Sequence, residues 1–241
     1  INSATNLFHA YMQYYKKNKI KLFHISTDEV YGSILKGEFK ENDPYDPSSP
    51  YSASKGSADL IATSFNKTYG TKIKILNLTN NYGPYQFPEK FIPTLISYFL
   101  KNKKAPIYGK GTNVREWMYV DDSCNAILKS VVSKNNFEKM NIGSGVRISN
   151  LEIAKTVFKI MKSQNLTKLK NNNFVKMVKD RPGHDKRYAL NTNFFKKKIN
   201  YKIKKNLYLG LTETVNWYIE NNKWVRNVNK SYNFKRLGLI D

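Results

Sequence analysis

Three short runs carry side chains able to do acid–base chemistry. Ser26-Thr27-Asp28-Glu29 sets two hydroxyls and two carboxyls in succession. Tyr51 and Lys55 stand four residues apart in Tyr51-Ser52-Ala53-Ser54-Lys55, which puts them on one face of a helix. Asn80-Asn81-Tyr82-Gly83-Pro84 is the third run. A phenol with its ordinary pKa of about 10 is a poor base near neutrality. An ammonium about 4–6 Å away favours the phenolate and lowers that value. So tuned, Tyr51 could take a proton from an alcohol while hydride leaves for a nicotinamide ring. A Tyr and a Lys at this spacing also arise by chance in a chain with 17 tyrosines, so the pair gains weight only from its neighbours. Asp28-Glu29 is more informative. Adjacent residues within a strand point to opposite faces, so both can address one ligand only where the strand has ended and turned. Gly32 permits such a turn. Two neighbouring carboxyls in unlike surroundings separate in pKa, one keeping its proton while the other ionises. An acid beside a base is what elimination of water requires; a solvated acidic turn is the bland alternative.

The elements that must position these runs are partly readable. Residues 3–17 hold helix formers and aromatics without Gly or Pro and predict a helix. Ile20 to Ser26 predicts a buried strand with a polar stop. Residues 32–50 contain Gly32, Gly37, Pro44, Pro47 and Pro50 and read as a long loop of the kind that carries function. Pro50 then opens a helix that Gly70 stops, and residues 72–79 follow as a strand. Strand, loop, helix and strand in this order predict a parallel α/β sheet, in which ligands bind at the carboxyl ends of the strands. Further helices are predicted at 92–102, 121–133, 149–163 and 209–221, and strands near 106–108, 115–120 and 140–143. Residues 163–173 read as a surface loop, and the basic stretch after Trp224 as only partly ordered.

Composition bounds the rest. The 241 residues are 40% hydrophobic and 14% aromatic, enough for a substantial core and against disorder as a whole-chain description. No apolar run approaches the roughly 18–20 residues of a membrane span, and no signal-peptide pattern is visible. Cys124 is the single cysteine, so no intrachain disulfide or zinc cluster is expected. That fits a reducing, cytoplasmic setting, and no metal site is expected. The formal charge of +23 comes mostly from dispersed Lys mixed with Asn and Ile, which reads as solvated faces. A polyanion partner is the sharper reading, but the usual nucleic-acid-binding signatures are missing. Neither a specific nucleic-acid partner nor a membrane is expected.

Longer runs around the same residues carry a resemblance. Ser26 to Gly32, Ser48-Ser49-Pro50-Tyr51-Ser52-Ala53-Ser54-Lys55, and Asn80 to Lys90 closely resemble the dTDP-glucose 4,6-dehydratases, within the extended short-chain dehydrogenase/reductase family. The likeness continues through Pro106 to Gly111, Arg115-Glu116-Trp117, Tyr119-Val120-Asp121-Asp122, Asn141-Ile142-Gly143, Asp180 to Asp185 and Trp217-Tyr218. It implies an α/β fold: the C-terminal portion of a Rossmann-like parallel sheet with a smaller mixed α/β substrate-binding region. Residues 1–82 would belong to the NAD-binding part and 83–241 mainly to the nucleotide-sugar region, with helix 121–133 free to pack back on the sheet. It implies NAD as cofactor, dTDP-glucose as substrate, dTDP-4-keto-6-deoxyglucose as product in deoxysugar biosynthesis, and a homodimer. By resemblance, Tyr51 with Lys55 removes the 4-hydroxyl proton as hydride passes to the cofactor, and Thr27 holds that oxygen. Glu29 then takes the C5 proton, Asp28 protonates the departing 6-hydroxyl, and hydride returns to C6. Ser26, Tyr51, Lys55 and Asn81 match cofactor positions. Thr27, Asn80, Lys90, Phe91, Pro106, Ile107, Tyr108, Arg115, Asn150, Asp180, Arg181, Pro182, Gly183 and His184 match substrate positions, Lys90 and Arg115 as cations for the diphosphate end.

The sequence also departs from that pattern. The family's glycine-rich dinucleotide turn is absent: Gly109-Lys110-Gly111 and Gly143-Ser144-Gly145 have Val114 and Ile148 where a third Gly would stand. The chain begins at Ile1, at the helix preceding the Ser-Thr-Asp-Glu strand, as if roughly 80–100 residues of one βαβαβ half came before it. The 241 residues alone are therefore expected to bind NAD weakly and turn over little. The competing readings are a 4-epimerase, a decarboxylase or a GDP- or UDP-sugar dehydratase of the same family, a basic nucleic-acid module, and an inactive remnant. The paired carboxyls favour dehydration over epimerisation.

Overall fold

The computed structural model describes residues 1–232. In chain order, α1 (Asn2–Asn18) leads to β1 (Leu22–Thr27), a 3-10 turn (Asp28–Tyr31), α2 (Pro50–Tyr69), β2 (Ile73–Leu78) and β3 (Asn80–Tyr82). Then come α3 (Phe91–Leu100), β4 (Ala105–Tyr108), β5 (Val114–Tyr119), α4 (Val120–Val132), β6 (Lys139–Ile142) and β7 (Arg147–Ser149). The last are α5 (Asn150–Ser163), β8 (Val175–Val178), α6 (Asn193–Ile199), α7 (Leu207–Glu220) and α8 (Asn222–Tyr232). Of the stretch after Trp224 expected to be only partly ordered, residues to Tyr232 are helical, with Trp224 packed on Trp217 at 5.2 Å; residues 233–241 lie outside the described residues. The polar, basic composition of α8 hides that aromatic anchor. No pattern in the sequence announces the short β3, β7, β8 and α6 either.

The chain forms two compact units. The first takes in residues 1–81, 114–147 and 183–204. At its centre lies a parallel sheet in the order β1-β2-β6, with Leu22 beside Ile73 and Thr27 beside Leu78. β2 is buried along its whole length, as befits a central parallel strand covered on both faces. On one face Phe8 and Tyr11 of α1 meet Ala62 and Phe65 of α2 over Ile73 and Ile75. On the other, Leu76 and Leu78 pack with Ala126 of α4 and with Phe195 and Ile199 of α6. Each of the Leu, Ile and Phe side chains among these contributes about 1.5–3 kcal/mol relative to exposure. α2 starts where its sequence says it should. Ser49 and Ser52 cap each other reciprocally, with side chain to backbone distances of 3.1 Å in both directions, and Gly70 ends the helix at φ 64°.

The second unit takes in residues 82–113, 148–182 and the chain from 205 onward. A parallel β4–β8 pair and helices α3, α5 and α7 form it, with Phe158 stacked on Phe174 at 4.5 Å and edge-on to Phe99 at 5.4 Å.

Candidate active site

β1 ends at Thr27, and the chain turns at once. Thr27 is extended at φ −141° and caps the 3-10 turn by accepting the Glu29 N–H at 3.3 Å. Gly32, at φ 78°, donates its N–H back to the Glu29 carbonyl at 3.2 Å. A Cβ on Gly32 would lie 2.2 Å from the Asp46 carbonyl oxygen, so both the conformation and the close approach demand glycine. Asp28 and Glu29 therefore sit on a turn past the strand end, as the residue pattern required.

The two carboxyls have different surroundings. Asp28 is 2% exposed, and Glu29 is half-buried. Burial pushes the Asp28 carboxyl well above its ordinary value, and the nearby charges of Glu29 and Glu116 push the same way; the Thr27 hydroxyl and Arg115 oppose them. Asp28 is thereby poised to keep a proton.

Tyr51 and Lys55 lie in the first two turns of α2. The Lys55 ammonium donates to the Ile25 carbonyl of β1 at 2.6 Å. The Tyr51 side chain is exposed, and its phenol is raised rather than lowered, first by partial burial and then by the charges of Glu29 and Asp28. The lowering expected from Lys55 is thus not found in this chain. The carboxyls are the groups that act on the phenol, while the ammonium is held at the strand backbone.

Other predicted residues of the first unit are drawn inward. Ser26 is 6% exposed and gives its hydroxyl to the Asp59 carboxylate at 2.7 Å. Asn81, just past β2, donates to the Thr79 carbonyl at 3.2 Å and accepts the Ser123 hydroxyl; Asn80 beside it is half-buried. Arg115, 5% exposed, donates to the Val114 carbonyl at 2.8 Å and the Asp185 carbonyl at 2.9 Å, and stacks 4.1 Å over the Tyr188 ring. The Asp185 carboxylate accepts from the Tyr188 hydroxyl at 2.7 Å and from Ser48. A Cβ on Gly183 would meet the Ser48 carbonyl oxygen at 2.7 Å, so Gly183 and the following His184 lie against the approach to α2. Thr27, Asp28, Glu29, Tyr51, Arg115 and the 183–188 segment thus form one neighbourhood.

The remaining substrate positions belong to the second unit. Pro106, Ile107 and Tyr108 pair with Lys176, Met177 and Val178 across β4–β8. A Cβ on Gly109 would stand 2.7 Å from an Asp180 oxygen, and the Asn150 N–H donates to the Asn113 carbonyl at 3.0 Å. These residues cluster. Ile107 is 1% exposed, so its side chain belongs to the core and only its backbone can meet a ligand. Lys90 is exposed at the start of α3, next to half-buried Phe91, and Arg181 and Pro182 are exposed beyond β8. Sequence reasoning missed Asp59 and Tyr188, and gave no role to Asp185, which it noted only as the end of a matched run. Asp59 had a signal, since it follows Lys55 by four residues on the same helical face.

A family model described as GDP-mannose 4,6 dehydratase matches residues 1–214. A probable dTDP-glucose 4,6-dehydratase of Sinorhizobium fredii is 41% identical over 228 residues, covering 94% of this chain and 65% of the relative. A crystal structure of dTDP-glucose 4,6-dehydratase from Bacillus anthracis in complex with NAD superposes with TM-score 0.83 at 39% identity, over 92% of this chain and 69% of that one. The corresponding Streptomyces venezuelae enzyme, also with NAD bound, gives TM-score 0.84 at 36% identity, over 93% and 67%. The chain spans about 65% of the length of the curated relatives it matches.

Proposed function

The chain belongs to the GDP-mannose 4,6-dehydratase family, and from that premise we propose that it carries the acid–base half of a nucleotide-sugar 4,6-dehydratase acting on dTDP-glucose. The observation that carries this reading is the buried Asp28, its carboxyl pushed well above the ordinary value, beside half-buried Glu29 on a turn past β1, with Tyr51 under the influence of both. An epimerase has no use for such a pair.

A nicotinamide dinucleotide fits the first unit at one place. β1 and β2 run parallel and end side by side at Thr27 and Leu78, the end at which open α/β sheets take their ligands. Tyr51 and Lys55 lie beside that end, and we assign them, with Ser26 and Asn81, to holding NAD. No G-x-G-x-x-G occurs in the 241 residues, so no pyrophosphate contact is assigned. Bound there, NAD would supply the hydride acceptor at C4 and the hydride donor at C6.

The chain's own residues then move the protons. Tyr51 takes the proton of the sugar 4-hydroxyl, with Lys55 assisting, and Thr27 hydrogen-bonds that oxygen. The C4 ketone makes C5–H acidic, and Glu29 removes that proton. Asp28 gives its proton to the departing 6-hydroxyl, which leaves as water; Glu29 would return its proton to C5 as hydride reaches C6, and the proton taken by Tyr51 would restore that of Asp28 through solvent. For the substrate we assign Thr27, Asn80, Arg115, Gly183 and His184 in the first unit, and Lys90, Phe91, Pro106, Ile107, Tyr108, Asn150, Asp180, Arg181 and Pro182 in the second. The nucleotide region is thus assigned mainly to residues 83–241 and the cofactor region to residues 1–82. We further propose a cytoplasmic homodimer in which α2, with Leu60 and Tyr69 exposed on it, makes the contact. No helix among the described residues is long and apolar enough to cross a membrane.

The test is turnover of dTDP-glucose by the full-length protein, with Glu29→Gln beside it. The variant is expected to oxidise C4 and stop, losing about 10²–10⁴-fold in dehydration as a general base does. Unchanged yield of the 4-keto-6-deoxy product would remove Glu29 from the mechanism.

A further inference from the structure

A buried carboxylate two turns along from Tyr51 has no part in the proton transfers. Asp59 is 1% exposed, yet one of its oxygens, Oδ2, accepts three hydrogen bonds. Ser26 of β1 donates at 2.7 Å, Tyr45 of the 32–49 loop at 2.9 Å and Asn77 of β2 at 3.3 Å. The other oxygen faces His24 Nε2 of β1 at 3.2 Å, close enough for an ion pair but not aligned as a hydrogen bond. A carboxyl is costly to bury, and a cluster of donors from three segments is what offsets that cost. The donors are specific in place. Lys55 and Asp59, one turn apart on α2, engage Ile25 and Ser26, consecutive on β1. Asn77, which reaches Asp59, also donates to the carbonyl of Thr27, the next residue along, at 3.3 Å. The contacts read residues 25, 26 and 27 in order. They fix how far α2 has slid and turned against the strand end that carries Thr27, Asp28 and Glu29.

Taking the dehydratase reading as its basis, we propose that Asp59 is a positioning residue for the reaction: its carboxylate sets the register of the Tyr51–Lys55 face against the Thr27-Asp28-Glu29 turn. A reacting group displaced by about 1 Å costs about 10²-fold in rate, so the effect should be read in turnover and not in substrate capture. Tyr45 adds the long loop to the same anchor, and its hydroxyl, bonded to Asp59, is pushed up by burial first and then by the Asp59 charge.

The experiment compares Asp59→Ala, Tyr45→Phe and the double variant in the full-length protein, by steady-state kinetics with dTDP-glucose and by amide hydrogen exchange. Asp59→Ala is expected to lower kcat by about 10- to 100-fold while KM moves less than about 3-fold. Exchange across residues 51–59 should quicken by about 10-fold or more while α5 keeps its protection. Tyr45→Phe should cost less, and in the Asp59→Ala background it should add less than about 2-fold, because both changes break the same bond. Wild-type kcat and exchange in Asp59→Ala would overturn the proposal. So would losses that multiply independently, or a loss shared equally by kcat and KM. Should Asp59→Ala fail to fold, Tyr45→Phe and Asn77→Ala each remove one donor, leave the carboxylate, and are held to the same split. A wild-type protein that does not turn over dTDP-glucose overturns the dehydratase reading, while the exchange comparison still decides the anchor.

Discussion

The Asp28 carboxyl is pushed above its ordinary value because burial penalises its charged form and because Glu29 and Glu116 add like charge around it. The consequence for stability has a definite sign. The unfolded carboxyl releases its proton near the ordinary value of 3.8, the folded one only at higher pH. Between those values the folded chain binds more protons, so its stability is fully present below the window and falls as pH rises through it. Asp28→Asn removes the titrating group and with it this fall. The variant, followed by Tm, is expected to gain on the parent as pH rises above the ordinary carboxyl value of 3.8. The gain is about 1.4 kcal/mol for each pH unit that separates the folded carboxyl's midpoint from the unfolded one's. Parallel Tm–pH curves would show that Asp28 is not the titrating group. The same proton bears on Tyr51, whose phenol is held up in part by the charges of Glu29 and Asp28. A proton on Asp28 cancels one of the two repulsions, so the acid that serves the elimination also eases deprotonation of the base that serves the oxidation.

At the scale of elements, the entry to α2 decides where Tyr51 stands. Ser49 accepts the Ser52 N–H at 3.1 Å, and Ser52 accepts the Ser49 N–H at 3.1 Å. Loss of such a cap costs about 1 kcal/mol. Ser49→Ala is therefore expected to lower the urea midpoint by that equivalent, whereas Ser54→Ala, at a half-buried hydroxyl bonded only to the Tyr51 carbonyl 2.7 Å away within the helix, should leave it nearly unchanged. Equal effects of the two would mean the cap does not hold the helix start. This boundary was legible because Pro50 and Gly70 are local signals that act on the backbone directly, whereas the Ser49–Ser52 cap was not read. So was the 73–78 strand, whose Ile73, Ile75, Leu76 and Leu78 suit a central parallel position covered on both faces. The 3-10 turn was legible only as a necessity, that Asp28 and Glu29 could share a ligand if the strand had ended. β8 was not legible, for Val-Lys-Met-Val is short, half exposed, and acquires its meaning by pairing with β4 some seventy residues earlier. The Asp59 anchor was hidden for the same reason. It joins residues 33 apart through a parallel β–α–β crossing, and no local pattern announces which carboxyl a strand-end Ser will meet.

At the scale of the whole molecule the formal charge of +23 asks for an explanation. Among the described residues only Lys74 and Arg115 are buried basic side chains, and each is accounted for by internal partners. The other described cations stand at or near the surface, dispersed over both units, in keeping with a solvated cationic mantle. Net charge of this kind acts on solubility and encounter rates and carries no information about sequence. Duplex DNA is thus expected to bind at low salt only by counterion release. If six to ten phosphates are neutralised, affinity should fall by about 10³–10⁵ between about 50 and 200 mM salt. Two duplexes of unrelated sequence should give superimposable curves, since phosphate contacts are blind to the bases. A preference for one duplex that survives at about 150 mM salt would instead require base-reading side chains, and would make nucleic acid a partner in its own right. Superimposable curves would leave the cations with a role that suits the site: drawing a small diphosphate-bearing molecule toward a surface of opposite sign, with specificity left to the few buried groups around Asp28.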